Sequence, residues 1–232
     1  MARTVALLGC PEDRAVVLRL GVDCSSIPFV PRRWTPGSPV RVLVAGSFRE
    51  KKGIPDAILG CGAVLRTGTE VEVTLVGDGQ DEEGRRERER IVRAIKESGL
   101  GPRVHMMGYQ PFDELMRLAY SHHVFLAPSR LAANGDSEGG APVTLIQMAA
   151  SGMPVVSTTH CDIPFVLHES SHRFLAPEGQ PGVLAEKICD LLASDWTGLT
   201  RRNRELTEAE ANSVTQGQRL AELYDNAVRG VR

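Results

Sequence analysis

Short apolar runs alternate with longer segments of helical periodicity along most of the chain, and this alternation constrains the fold most strongly. Six runs are predicted to be β-strands: 41–47, 70–79, 103–108, 123–129, 153–158 and 172–176. Helical spacing of apolar residues predicts helices over 54–67, 81–99, 112–121, 141–152 and 182–194, and over most of 196–229. Such alternation is typical of βαβ units. We therefore predict an α/β fold, a Rossmann-like doubly wound parallel sheet with helices on both faces.

The residues before this pattern differ in composition. Four prolines lie within residues 28–39, and they disfavour regular secondary structure. We predict an interdomain or linker segment over 1–39, the Rossmann-like domain over 40–195, and C-terminal helices over 196–232. A chain that starts just before a linker also suggests a fragment whose upstream domain is absent.

Charge and cysteine content exclude several classes of protein. The formal net charge of -2 disfavours nucleic acid as a partner, because binding phosphates requires a surplus of Lys and Arg. The five cysteines are scattered, which argues against a disulfide framework or a zinc knuckle. No apolar stretch approaches the ~20 residues that span a bilayer. These features predict a soluble, cytoplasmic protein.

Parallel sheets bind ligands beyond the carboxyl ends of their strands, and there the sequence places polar loops. Arg49, Lys51 and Lys52 follow the first strand and precede a helix. A helix N-terminus flanked by cations can bind a diphosphate, although a solvated basic loop explains the same residues. The Gly-Asp-Gly turn at 77–79 ends the second strand; a turn alone accounts for it, so only its position draws attention.

The loop after the fourth strand is the most informative stretch. Glu138 is followed by Gly139 and Gly140, which would allow the main chain to approach a phosphate or sugar closely. A carboxylate accepts hydrogen bonds from vicinal hydroxyls, as does the amide oxygen of Gln147 on the next helix. The alternative is an ordinary helix start, with Glu138 near the helix dipole.

The remaining candidates for chemistry are weaker. His122 and His123 precede a strand and are interpreted as structural or exposed, whereas His160 follows the fifth strand on the ligand side, where a structural and a site role both remain open. No two histidines have a helical metal-ligand spacing, so no metal site is predicted. No serine stands in a nucleophile elbow, which disfavours a serine hydrolase.

Several blocks of the sequence together resemble the C-terminal domain of the family 4 glycosyltransferases, retaining enzymes of the two-domain GT-B fold. The blocks are GSFREKKGI, VTLVGDGQ, HMMGYQPFDEL, VFLAPS, EGGAPVTLIQMAASGMPVVST and QGQRLAELYDNAV, in that order. LGCPEDRAVVLRLGVD (8–23) is similar to the end of that family's N-terminal domain and its connection. The resemblance thus covers nearly the whole chain.

The resemblance implies a donor site for a nucleotide-diphosphate sugar. It makes Lys52 the phosphate-binding lysine and Glu138 the catalytic carboxylate near the donor sugar hydroxyls. The other substrate-binding positions that it implies are Ser47, Arg49, Gly77, Asp78, Tyr109, Ser129, Arg130, Gly139, Gly140, Ala141, Pro142 and Gln147, with Tyr109 beside the nucleobase and 139–142 contacting phosphate and sugar. No cofactor or metal is implied, because cations and a helix dipole offset the diphosphate charge.

Three positions depart from the family pattern. Ser47 replaces an arginine, which removes half of the phosphate clamp unless Arg49 reaches the site. Gln147 replaces a glutamate that holds the ribose, and Phe165 replaces an acid. Since hydrogen bonds to charged groups contribute ~1.5–3 kcal/mol against about 1 for neutral ones, these changes predict weaker binding.

The resemblance also implies a missing partner, an N-terminal domain that binds the acceptor and toward which the final helix (212–229) packs. We expect little or no sugar transfer by this chain alone. Apolar positions such as Leu220 and Leu223 would then lack their partner, and self-association becomes plausible. The alternatives are a non-catalytic nucleotide-sugar-binding or scaffold module and, fitting the blocks less well, a GT-B relative such as an epimerase or phosphorylase.

Overall fold

A computed structural model describes residues 2–11 and 14–230 of the chain, and it contains a six-stranded parallel sheet. The strands are β1 (Val40–Ala45), β2 (Val71–Val76), β3 (Val104–Gly108), β4 (Val124–Ala127), β5 (Val155–Thr158) and β6 (Leu175–Ala176). Their order is β3-β2-β1-β4-β5-β6, and each neighbouring pair is parallel. The predicted α/β, Rossmann-like fold is confirmed.

Helices cover both faces of the sheet. They are α1 (Ala2–Leu7), α2 (Ile54–Arg66), α3 (Glu82–Ser98), α4 (Phe112–Ser121), α5 (Val143–Ala150), α6 (Ile163–Val166), α7 (Pro181–Leu192), α8 (Trp196–Glu210) and α9 (Ser213–Arg229). α3 shows the local signals clearly: the Asp81 carboxylate accepts the Gly84 N–H at its start, and Gly99 ends it in the left-handed conformation.

The strand prediction over 172–176 is wrong in its first three residues. A 3-10 helix occupies Glu169–Phe174, and only Leu175 and Ala176 pair with β5. The His168 side chain accepts the Ser170 N–H and caps this helix. The cap is a local polar signal, and here it prevails over the apolar pattern.

Alternation along the strands builds two cores. In β1, Val42 and Val44 face the core beneath α2, α3 and α7, whereas Leu43 faces the core beneath α4 and α5. The chain proceeds from β1 outward to β3 on one side, and from β4 outward to β6 on the other. The loops that follow β1 and β4 therefore diverge to opposite faces, and a crevice opens between them.

The segment before β1 packs against α8 and the start of α9. Val22 forms a parallel bridge with Asn212, and Val22 and Ile27 are buried in the second core. Within residues 28–39, all of which are described, no helix or strand forms, as the prolines predict. The predicted helices over 196–229 are present; in α9, Leu220 is exposed and Leu223 half-buried. Among the described residues, no helix is long and apolar enough to cross a membrane.

Candidate functional site

Two loops meet closely at the crevice between β1 and β4. Gly53 has a φ of 61°, and a Cβ added there would lie 2.0 Å from the carbonyl oxygen of Pro128. The Arg130 N–H donates to the Lys51 carbonyl oxygen at 2.9 Å. Glycine is required because any side chain would collide with the neighbouring main chain. This close approach places Lys52 beside the loop over 128–142.

Lys52 and Glu138 form an ion pair across the crevice. The Lys52 Nζ lies 2.9 Å from Oε1 and 2.8 Å from Oε2 of Glu138, and the Ser129 hydroxyl donates to Oε1 at 2.8 Å. The Glu138 side chain is only 6% exposed, against 21% for Lys52. A carboxylate so deeply buried requires partners of this kind. The structure thus brings together Lys52, Ser129 and Glu138, three residues named from the sequence.

The turn after Glu138 leads directly into α5. Gly139 has a φ of 70°, and a Cβ at Gly140 would meet nothing within 4 Å. The first turn of α5, beginning at Val143, presents N–H groups that have no partner inside the helix. A cleft of about 520 Å³ lies between residues 138–141 and residues 14–20 of the N-terminal segment. Its size suits a small ligand, and it is bounded by the predicted binding turn.

Arg49 does not replace the arginine whose place Ser47 takes. Its guanidinium donates to both carboxylate oxygens of Asp81, at 2.9 and 2.6 Å, and lies 3.6 Å from Glu83. These contacts, chiefly the hydrogen bonds to Asp81, raise the pKa of Arg49. Ser47 itself is exposed. Arg49 is therefore held at the N-terminus of α3 rather than on the Lys52–Glu138 pair.

Two further cations near the crevice are also paired. Lys51 Nζ contacts Asp136 at 3.0 Å, and Arg130 contacts Asp56 at 3.2 Å. Burial raises the pKa of Asp56 even though Arg130 opposes that effect. The loop after β1 is thus not merely a solvated basic loop, because Arg49, Lys51 and Lys52 each pair with a carboxylate.

The Gly-Asp-Gly turn after β2 has a structural explanation. A Cβ at Gly77 would lie 1.8 Å from the Gly46 carbonyl oxygen, so only glycine fits. The Asp78 carboxylate accepts the Gly79 N–H at 2.8 Å and an Arg88 N–H at 2.6 Å. These bonds, the one from Gly79 first, lower the pKa of Asp78. The carboxylate is directed toward α3, and it is not bonded to the Lys52–Glu138 pair.

Tyr109 and Gln147 are likewise not bonded to that pair. Tyr109 follows β3 and is 77% exposed. Gln147 is half-buried on α5, and its side chain makes no hydrogen bond to the described residues. Phe165, in place of the expected acid, is exposed beneath the guanidinium of Arg19, 5.4 Å from the ring centroid. Tyr109 and Gln147 remain predicted ligand contacts.

Sequence reasoning left His160 undecided and missed Glu178. The His160 Nδ1 lies 2.7 Å from the Glu178 carboxylate, and its Nε2 lies 3.3 Å from the Glu138 main-chain nitrogen. The Cys161 thiol is 3.1 Å from the same Nε2. Glu178 follows β6 and so lies at the ligand edge of the sheet, a signal that the topology rule would have revealed.

Comparison with known proteins identifies the family. The family model for group 1 glycosyl transferases matches residues 39–194. The chain therefore belongs to the group 1 glycosyltransferases, as the resemblance predicted.

One curated relative is similar in sequence, and two solved structures are similar in fold. AmsK, the amylovoran biosynthesis glycosyltransferase of Erwinia amylovora, is 31% identical over 220 residues, which are 94% of this chain and 52% of AmsK. The structure of Anabaena HepE in complex with UDP and glucose has a TM-score of 0.78 at 18% identity, covering 97% of this chain and 60% of HepE. The C-terminal domain of LpcC, a group 1 family protein of Francisella tularensis, has a TM-score of 0.66 at 16% identity, covering 83% of this chain and 99% of that domain. The chain spans about half the length of the curated relatives it matches.

Proposed function

We propose that this chain is the donor-binding domain of a retaining glycosyltransferase that uses a nucleotide-diphosphate sugar. The observation that carries the proposal is the Lys52–Glu138 pair at the switch point of the sheet. A diphosphate would replace Glu138 as the partner of Lys52, and the released carboxylate would accept hydrogen bonds from the sugar hydroxyls. HepE, which has the same fold, was solved with UDP and glucose.

Lys52 and the N–H groups at the start of α5 would offset the charge of the departing diphosphate, so we propose catalysis without a metal ion. Glu138 is the proposed catalytic carboxylate, and residues 139–142 would contact phosphate and sugar. Retention of configuration is proposed from the family 4 resemblance. The anomeric configuration of the product, measured by NMR, tests it.

We further propose that transfer requires an N-terminal domain that binds the acceptor. The cleft beside Glu138 is bounded by residues 14–20, in which Val16, Val17 and Leu20 are exposed. Apolar side chains in that position suit a covering domain or, failing one, a second copy of the chain. Free cysteines fit a cytoplasmic site of action, because that compartment keeps thiols reduced.

A second candidate function is a non-catalytic nucleotide-sugar-binding module. It is favoured by the engagement of Arg49 with Asp81, which leaves Lys52 without a second clamping cation from the β1 loop. Both functions require binding of the nucleotide sugar, but only the donor-binding domain of a glycosyltransferase takes part in transfer of the sugar to an acceptor. Adding a relative's N-terminal domain separates them, because only the first function would then show transfer.

Titration calorimetry with UDP, GDP and ADP sugars tests donor binding. We expect the sugars of one nucleotide to show saturable binding. Lys52→Ala should weaken binding of the corresponding free nucleoside diphosphate by about ten- to a hundredfold, as expected for the loss of a charged hydrogen bond. Lys51→Ala is the matched control, because Lys51 is paired with Asp136 instead, and it should stay within about threefold. Equal losses in the two variants would contradict the proposed role of Lys52.

A further inference from the structure

His160 and Glu178 connect three loops at the ligand edge of the sheet. His160 follows β5, Glu178 follows β6, and both bond to the loop between β4 and α5. One Glu178 oxygen accepts the Leu131 N–H at 2.7 Å, and the other lies 2.7 Å from His160 Nδ1. The loop is thereby held near its start, directly, and at Glu138, through the imidazole.

The proton positions follow from the chemistry of the partners. Burial alone would raise the pKa of Glu178, but hydrogen bonds from the Leu131 N–H and from His160 outweigh burial and lower it. An ionised carboxylate only accepts, so Nδ1 of His160 carries the proton that it donates to Glu178, whereas the Glu138 N–H only donates. Nε2 is then an acceptor, and it faces the Glu138 N–H at 3.3 Å.

The other restraints on the second half of the loop over 128–142 act mainly through side chains: Lys51 holds Asp136 at 3.0 Å, and Lys52 and Ser129 hold the Glu138 carboxylate. The loop contains no helix or strand, and it carries the buried Glu138 carboxylate that faces Lys52. The His160 residue is 3% exposed, so water does not compete freely for Nε2, and the Cys161 thiol, 3.1 Å away, is the second group at this nitrogen. The hydrogen bond from the part-buried Glu138 N–H to Nε2 holds the main chain from which this carboxylate projects, while Lys52 and Ser129 hold its oxygens.

We infer that His160 is a positioning residue for donor recognition: oriented by Glu178, it holds the Glu138 main chain so that its carboxylate meets the donor sugar. This inference rests on the proposed function. It assigns His160 no contact with the reacting atoms. Its effect is therefore expected on the sugar part of the donor and not on the diphosphate part.

Two substitutions of His160 distinguish positioning from a merely structural role. In His160→Gln the amide oxygen can occupy the place of Nε2 and accept the Glu138 N–H. In His160→Asn the amide N–H can occupy the place of Nδ1 and donate to Glu178, but nothing reaches Glu138. We expect Glu138 amide exchange to be about tenfold faster in the Asn variant and within about twofold of wild type in the Gln variant.

The second readout is the affinity for the nucleotide sugar that wild type binds most tightly, compared with the affinity for the corresponding free nucleoside diphosphate. The Asn variant should bind the nucleotide sugar about five- to tenfold more weakly than wild type does. The affinity of both variants for the free nucleoside diphosphate should stay within about twofold of wild type. A weaker Gln variant, or an equal loss for the free diphosphate, would overturn the inference. A structural role alone would lower thermal stability in both variants without separating sugar from diphosphate.

The imidazole tautomer supplies a test that needs no variant and no donor. Nitrogen-15 NMR of the wild-type chain should show Nδ1 protonated and Nε2 unprotonated in His160. The opposite tautomer would overturn the inference. If the wild-type chain binds none of the nucleotide sugars, the proposed donor function fails, while tautomer and amide exchange still decide whether His160 holds Glu138.

Discussion

Lys52 and Glu138, 86 residues apart in sequence, hold each other across the crevice with both carboxylate oxygens within 2.9 Å of the ammonium nitrogen. Each of these two proposed ligand-binding groups therefore neutralises the charge of the other. A donor must exchange this contact for its own diphosphate and hydroxyl groups. Affinity then depends on the difference between two sets of charged interactions.

Glu138→Gln should separate the two halves of donor recognition. Without the carboxylate, Lys52 is free for phosphate and a repulsive charge is removed, so the affinity for the free nucleotide diphosphate should rise about three- to tenfold. The additional affinity for the attached sugar should fall. Calorimetry with nucleotide sugar and free diphosphate measures both. Asp136→Asn, at the Lys51 pair, is the control and should change little; weaker binding of the free diphosphate to the Glu138 variant would argue against the exchange of partners.

Gly53→Ala should destabilise the protein, because the new Cβ would lie 2.0 Å from the Pro128 oxygen at a φ of 61°. We expect a loss of about 2–4 kcal/mol in the free energy of unfolding. Gly217→Ala in α9 is the control, since its Cβ would meet nothing within 4 Å, and helix propensity predicts a gain of up to about 1 kcal/mol. Urea denaturation compares the two; a neutral Gly53 variant would contradict the close approach of the β1 and β4 loops.

Arg204→Ala should loosen the N-terminal segment from α8. The Arg204 guanidinium donates to the carbonyl oxygens of Cys24 at 2.9 Å, Ile27 at 2.7 Å and Ala150 at 3.1 Å. Its removal leaves three acceptors without this donor, so we expect about 2–4 kcal/mol less stability. The exposed Arg202→Ala should stay within about 0.5 kcal/mol. Thermal and urea denaturation measure the stability of both variants. Similar free energies of unfolding for the Arg204 and Arg202 variants would refute the role of Arg204.

Stability should fall as pH decreases from about 6.5 to about 4 because of His123. Burial, followed by the charges of Arg41 and the neighbouring His122, lowers the pKa of His123 from 6.5 to about 4. The His123 Nδ1 accepts the main-chain N–H of Arg41 at 3.0 Å. In this interval the unfolded chain binds a proton that the folded chain does not, so protons favour unfolding. The loss contributed by this group is on the order of 2–3 kcal/mol.

His123→Asn supplies the control, because its amide oxygen keeps an acceptor for Arg41 without titrating. Unfolding free energies measured from pH 7 to pH 4 should show a shallower decline in the variant. An equally steep decline would assign the pH dependence to other groups, of which His122 is the first to test, since burial lowers its pKa as well.

Local patterns in the sequence were sufficient for the elements and the class of fold. The apolar residues of β1 and β2 predict strands because buried parallel strands carry β-branched side chains on both faces, and Asp81 and Gly99 bound α3 by signals within one turn. The family resemblance added the roles of Lys52 and Glu138, which no local pattern could distinguish from a basic loop and a helix start.

Only the tertiary structure decided which charged groups pair, because their partners are distant in sequence and locally equivalent. Arg49 could have served the phosphate site, but Asp81, 32 residues away, binds it. Nothing near His160 in sequence shows that Glu178 orients it, and nothing near Arg204 points to Cys24, 180 residues earlier. Hydrophobic periodicity is read within a few turns, whereas the direction of a polar side chain is set by whichever donor or acceptor the packed loops bring within hydrogen-bonding distance.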